Sequence, residues 1–110
     1  MYSQLLMNEN PLLILPELAS IIGLNESIVL QQIHYWLIIN EKKNQNYEDK
    51  RYWMFNTYAE LQKQFPFWNE KTIKRIVANL KKDGYLLIGN YNKYKYDRTN
   101  WYSIDYSKLP

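Results

Sequence analysis

The 110-residue chain has no cysteine and one histidine, so its composition excludes disulfides and thiolate zinc sites and makes a transition-metal site unexpected. Its net charge of +3 is uneven: residues 1–50 carry three Lys or Arg and six Asp or Glu, a net −3, whereas residues 51–110 carry eleven and five, a net +6. This length predicts one domain over residues 1–110, and the basic half favours a polyanionic partner, although a solvated lysine-rich surface would have the same composition.

The first half of the chain is predicted to contain two helices. Pro16 suits the first turn of a helix, and Gly23 suits its end, while the segment before Pro16, which lies between two prolines, is predicted to be extended. A second helix is predicted from a cap at Asn25 to about Asn40. It is apolar on nearly every side, which is typical of a central helix or of one in a subunit contact. Residues 41–51 are polar and predict a loop.

The second half is predicted to contain two helices and three strands. A capping box at Thr57 begins a helix that ends near Gln64, and Asn69 caps a helix that runs to Asp83. The strands are predicted at 52–55, 85–88 and 101–106. The last two form a hairpin around a long basic loop, about 89–100. Helix, helix, strand, helix, helix and hairpin follow one another as in a winged helix-turn-helix, an α+β and mainly α fold.

The helix at about 69–83 has two contrasting faces. Its apolar residues form one stripe, and on the opposite side the cations surround the small Ala78. Lys81 and Lys82 complement the helix dipole, but Lys71, Lys74 and Arg75 lie in the half where the dipole disfavours cations. A helix that enters the major groove needs this distribution, and Asn69 and Thr72 near its beginning are expected to reach base edges or a phosphate. The alternative is an ordinary charged surface.

The loop at about 89–100 alternates aromatic and basic residues. Lys93, Lys95 and Arg98 are expected to contact phosphates or enter a minor groove. Two alternatives remain open, namely lysines that protect an edge strand and tyrosines that stack on single-stranded DNA. The tyrosines concerned are Tyr91, Tyr94 and Tyr96, of which the last two are predicted to share one face. On the return strand, Tyr102, Ile104 and Tyr106 are predicted to face the core.

The sequence contains no motif that is typical of an enzyme. His34 has no Asp, Cys or Ser at a triad-like spacing, and the three glycines stand alone, so no phosphate-binding glycine loop is expected. We therefore expect no catalytic residue, no cofactor and no metal. No apolar run reaches bilayer length and the N-terminus lacks the basic region of a signal peptide, which together predict a cytoplasmic protein without a membrane partner.

Three segments carry a resemblance to a known family. They are PLLILPELASIIGLNESIVLQQIHYWL, RYWMFNTYAELQKQFPFW, and TIKRIVANLKKDGYL with the later DRTNWYSIDY. Across nearly the whole chain they resemble the N-terminal winged-helix domain of replication initiators and replisome organisers from phages and plasmids of Gram-positive bacteria, the group related to DnaD.

The resemblance implies non-enzymatic binding of double-stranded DNA at a replication origin. It also implies recruitment of a helicase or helicase loader, self-association into a homo-oligomer, and a further C-terminal region after the winged helix. Two alternatives follow for this chain, namely the N-terminal part of a longer protein and a small stand-alone protein. A transcriptional regulator on the same fold, and a protein-interaction or oligomerisation module, remain the alternatives.

Overall fold

The computed structural model describes residues 10–110, so the first nine residues of the predicted domain lie outside the described part. Within residues 10–110 the chain forms four α-helices and five short β-strands. In chain order these are α1 (Pro16–Ile22), α2 (Leu24–Lys42), β1 (Tyr47–Glu48), β2 (Arg51–Tyr52), β3 (Met54–Asn56), α3 (Tyr58–Lys63), α4 (Glu70–Lys82), β4 (Leu86–Gly89) and β5 (Asn100–Ile104), followed by a 3-10 turn, Tyr106–Lys108. The α+β class expected from the sequence is confirmed.

A single residue joins the first two helices. Pro16 begins α1 as predicted, and Gly23 ends it, donating its backbone N–H to the carbonyl of Ala19 at 2.9 Å. Gly23 has a φ of 107°, a conformation that L side chains rarely adopt, and this allows the chain to turn without a loop. The predicted cap at Asn25 is therefore wrong, because α2 already begins at Leu24 with Gly23 in the cap position and no capping side chain.

The core lies between α2, α4 and a sheet. The buried face of α2 carries Val29, Leu30, Ile33 and Leu37, and its other apolar side chains are half-buried or exposed. The helix is thus central on one face rather than buried all round. The core residues from the other elements include Leu61, Phe65, Ile73, Ile76, Val77, Leu80, Leu86, Tyr102 and Ile104.

The sheet has three antiparallel strands in the order β3-β5-β4. Tyr102, in the central strand, pairs with Met54 on one side and Ile88 on the other, and burial raises its pKa to about 12. Tyr102 and Ile104 face the core as predicted.

The prediction that Tyr106 also faces the core is wrong. Strand β5 ends at Ile104, and Asp105 caps a 3-10 turn that directs the Tyr106 side chain outward. Tyr106 is 48% exposed, and its hydroxyl forms a hydrogen bond with His34 Nδ1 at 2.7 Å.

A small hairpin occupies part of the segment that was predicted to be a loop. Strands β1 and β2 pair as Tyr47 with Tyr52 and Glu48 with Arg51, and the two tyrosine rings lie 4.8 Å apart between centroids. The two residues of the turn, 49 and 50, both have positive φ, 50° and 64°, as a two-residue type I′ hairpin requires. The strand predicted at 52–55 is accordingly divided between β2 and β3.

Candidate nucleic-acid interface

The turn between α3 and α4 is rigidly built. Thr57 and Glu60 form the predicted capping box, with the Glu60 N–H donating to Thr57 Oγ1 at 3.1 Å and the Thr57 N–H donating to Glu60 Oε1 at 2.8 Å. Phe65 is fully buried, and Gln62 Nε2 donates to the carbonyl of Trp68 at 2.8 Å. These contacts fix where α4 begins and how it is oriented on the core.

Asn69 caps α4 as predicted, and its Oδ1 accepts the Thr72 N–H at 2.8 Å. One of the two polar groups of the exposed Asn69 side chain is therefore already used, and its amide nitrogen is the group left for a ligand. The side chain of Thr72 is half-buried. Both residues lie at the N-terminal end of the helix, where backbone N–H groups and the dipole favour an anion.

Helix α4 buries the predicted apolar stripe and exposes its opposite side. Ile73, Ile76, Val77 and Leu80 are each at most 1% exposed. With about 100° per residue, Lys71, Arg75, Ala78 and Lys82 lie about 140° to 200° from Ile73, and all four are exposed. We call these four residues the basic face. The small Ala78 in its middle leaves the helix backbone open to a close approach.

The three cations in the first half of α4 differ in their surroundings. Lys74 Nζ lies 3.6 Å from Glu70 Oε1 and 5.3 Å from the centroid of the Tyr58 ring. Both contacts are within the chain, so they give Lys74 a local role, although an exposed pair of this kind contributes only about 0.3–0.5 kcal/mol. Within the described residues, Lys71 and Arg75 form no ion pair. The sequence pattern did not indicate the contact with Tyr58, because it joins two helices.

The loop at 90–99, hereafter the 90–99 loop, is held together by Asn92. The amide nitrogen of Asn92 donates to the carbonyls of Asp97 and Thr99 at 3.2 and 2.7 Å, and its Oδ1 accepts the Trp101 indole N–H at 2.8 Å. The Asp97 N–H donates to the carbonyl of Tyr94 at 3.1 Å, which closes a tight turn at the tip. Sequence reasoning missed Asn92, whose importance comes from partners on the opposite limb of the loop.

The predicted basic residues of this loop, Lys93, Lys95 and Arg98, are all exposed. They lie outside both β4 and β5, so the alternative in which the lysines protect an edge strand loses its support. The rings of Tyr94 and Tyr96 lie together as predicted, stacked with centroids 5.4 Å apart and planes 14° apart. The tight turn brings them together, rather than the alternation of an extended strand.

Tyr91 does not belong to this exposed pair. Its ring packs against Trp53 and Trp101 at centroid distances of 5.1 and 5.4 Å, and its hydroxyl donates to Asp49, which raises the pKa of Tyr91. A Cβ at Gly89 would lie 2.9 Å from the Tyr91 ring, so the packing here is close. Tyr91 is thus part of the base of the loop, and its ring and hydroxyl already have partners within the chain, unlike the exposed rings of Tyr94 and Tyr96.

Outside α4 and the 90–99 loop, the described chain has weaker candidates for a functional site. The groove beside His34, about 480 Å³ in volume, is mostly apolar and is lined by α1, α2 and the C-terminal segment. Residues 10–110 contain no group of three His, Cys, Asp or Glu side chains that would hold a metal ion. Within the same residues, no helix has both the length and the apolar character needed to cross a bilayer.

Comparison with protein-family models, with curated proteins and with solved structures finds no match for this chain. DNA binding is therefore inferred from the geometry of α4 and the 90–99 loop.

Proposed function

We propose that this chain is a winged helix-turn-helix domain that binds double-stranded DNA, with α4 in the major groove and the 90–99 loop as the wing. The observation that carries the proposal is the basic face of α4, where Lys71 and Arg75 are exposed and form no ion pair within the described residues. The order of the elements supports it, because α3, a rigid turn and α4 are followed by two antiparallel strands that flank a basic loop.

The dimensions of α4 suit a groove. Its 13 residues extend about 20 Å, and the major groove of B-DNA admits an α-helix. Lys71 and Arg75 are four residues apart and so project from the same side of consecutive turns. The guanidinium of Arg75 can donate two hydrogen bonds to one guanine, whereas Lys71 supplies a point charge for a phosphate. Ala78, one turn further along, offers no steric obstacle.

The remaining predicted residues have supporting roles in this proposal. Asn69, through its amide nitrogen, and Thr72 lie at the helix end that enters the groove first. Lys74 contributes positive charge while its contacts with Glu70 and Tyr58 hold it at the side of the helix. The cations of the 90–99 loop, Lys93, Lys95 and Arg98, contact the phosphate backbone and position the domain without reading sequence.

The biological role that we propose is non-enzymatic participation in the initiation of phage or plasmid DNA replication, at an origin and with a helicase or helicase loader as partner. This part rests on the resemblance of the three sequence segments to replication initiators and replisome organisers. The same resemblance supports self-association of the domain.

A salt titration tests the proposal. Fluorescence anisotropy with a labelled random-sequence duplex is expected to give a log–log slope of about −3.5 to −4.5, because four to five phosphates would be neutralised. Lys71→Ala should weaken binding to every sequence and reduce the slope by about one, and Arg75→Ala should also relax base preference at one position by about 1–3 kcal/mol.

Lys43→Ala is the matched control, because it removes an exposed cation at the end of α2 rather than on α4. It should leave the affinity nearly unchanged. The absence of duplex binding at low salt would contradict the proposal. Folded Lys71→Ala and Arg75→Ala variants that bind like the parent would contradict the assignment to α4.

A further inference from the structure

The two stacked tyrosines of the 90–99 loop form a second surface, distinct from the basic face of α4. Tyr94 is 51% exposed and Tyr96 is 78% exposed, and neither packs into the core. We propose that this pair binds the unpaired bases of single-stranded nucleic acid, a different ligand from the duplex proposed for α4. The ligand is recognised by the π-face that every base carries, so the binding requires no particular sequence.

The geometry of the pair leaves one face open for a base. Tyr94 has Tyr96 stacked on it and Lys93 Nζ 5.5 Å from its ring centroid. Tyr96 has the largest exposed fraction of the exposed large hydrophobic side chains in the described chain. A base stacked on the outer face of Tyr96 would extend the existing pair into a three-membered stack and remove apolar ring surface from water.

Hydrogen bonds within the 90–99 loop hold the two tyrosines in place. The three hydrogen bonds of Asn92, the Asp97-to-Tyr94 backbone bond and the Thr99 N–H donating to Asp97 Oδ1 at 2.9 Å fix both limbs. Because the rings already lie together on a fixed turn, binding a base costs little conformational entropy.

The charges around the rings favour a nucleic-acid strand over an apolar protein segment. Lys93, Lys95 and Arg98 are exposed and lie within four residues of the pair. The one acid among these residues, Asp97, accepts hydrogen bonds from Thr99, which lower the pKa of its carboxyl and keep it ionised, but its Oδ1 is occupied within the loop and the three cations outnumber it. Aromatic rings beside cations are the combination that binds bases and phosphates of a single strand.

The test is fluorescence anisotropy of the whole 110-residue chain with labelled dT15, rU15 and a 15-base-pair duplex. Tyr96→Ala should weaken binding to the single strand by about five- to a hundredfold, because stacking one base contributes about 1–3 kcal/mol and 1.4 kcal/mol is a factor of ten. Tyr96→Phe keeps the ring and should bind like the parent. Comparing dT15 with rU15 identifies which kind of strand the rings prefer.

Failure of this inference and failure of the duplex proposal give different results. A Lys71→Ala, Arg75→Ala double variant should lose duplex binding and keep ring-dependent dT15 binding. If the parent chain does not bind the duplex but binds dT15 through the rings, only the proposal for α4 is contradicted. Equal binding of single strands by Tyr96→Ala and the parent would overturn the inference. The inference would also be overturned if Tyr96→Ala lost the same affinity for the duplex as for the single strand, because the rings would then contact the duplex.

Discussion

Replacing Asn92 by alanine tests whether one side chain holds the 90–99 loop. The substitution removes three hydrogen bonds, two donated to the carbonyls of Asp97 and Thr99 and one accepted from the Trp101 indole. It leaves the loop tyrosines and cations unchanged. The loop conformation and its stability are therefore altered without changing the groups proposed to meet nucleic acid.

The expected magnitude follows from the surroundings of these bonds. Each neutral hydrogen bond contributes about 1 kcal/mol net, so three contribute at most about 3 kcal/mol. Asn92, Thr99 and Trp101 are only half-buried, so water replaces part of what is lost. We expect the free energy of unfolding to fall by about 1–2 kcal/mol. In a domain of this size that corresponds to a drop in Tm of about 4–8 °C.

Thermal unfolding followed by circular dichroism, together with urea unfolding, measures this change. Asn90→Ala is the matched control, because the Asn90 side chain accepts one bond, from the Asn92 N–H at 3.0 Å, and should cost less. Binding of dT15 should weaken in Asn92→Ala although both tyrosines remain. An Asn92→Ala variant with the Tm of the parent would refute the view that this side chain orders the loop.

Three further substitutions test the local structure. Thr57→Ala removes the α3 capping box and should lower the free energy of unfolding in urea by about 0.5–2 kcal/mol, with Thr57→Ser close to the parent. Gly84→Ala should cost about 1–2 kcal/mol because Gly84 has a φ of 84°, and an equally stable variant would contradict that conformation. Hydrogen bonds from Thr99 lower the pKa of Asp97, so the stability they add is present above the ordinary pKa of Asp, about 3.9, and is lost as the pH falls through the lowered value. As the pH is lowered from about 5 to about 2.5, the Tm of Asp97→Asn should therefore fall less than the Tm of the parent. An identical dependence of Tm on pH in the two proteins would exclude this contribution.

The helices were predictable because their signals are local. Pro16, the Thr57 capping box and the Asn69 cap each act within one turn of the helix they begin, and the structure confirms all three. The predicted cap of α2 at Asn25 is wrong because Gly23 is both the C-cap of α1 and the N-cap of α2. The preference of Asn for cap positions does not indicate this. The β1-β2 hairpin was missed because Lys50, rather than the usual glycine, takes the second left-handed position of its turn.

The candidate interface was predictable only in part. Helical periodicity correctly separates the buried stripe of α4 from its basic face. It does not reveal that Lys74 meets Tyr58, since that contact depends on how α3 and α4 pack. Tyr106 was misplaced because alternation was extended beyond Ile104, where Asp105 ends the strand. The conformation of the 90–99 loop depends on Asn92. Its hydrogen bonds reach the opposite limb of the loop, and no local sequence pattern indicates them.

The most direct test of DNA binding by α4 is an NMR titration of the ¹⁵N-labelled chain with duplex DNA at low salt, following every assigned amide. If α4 binds the duplex, the largest shifts should occur at residues 69–75, with smaller shifts in the 90–99 loop, and the free spectrum should return as salt is raised. Shifts confined to α1 and the groove beside His34, with α4 unchanged, would contradict it.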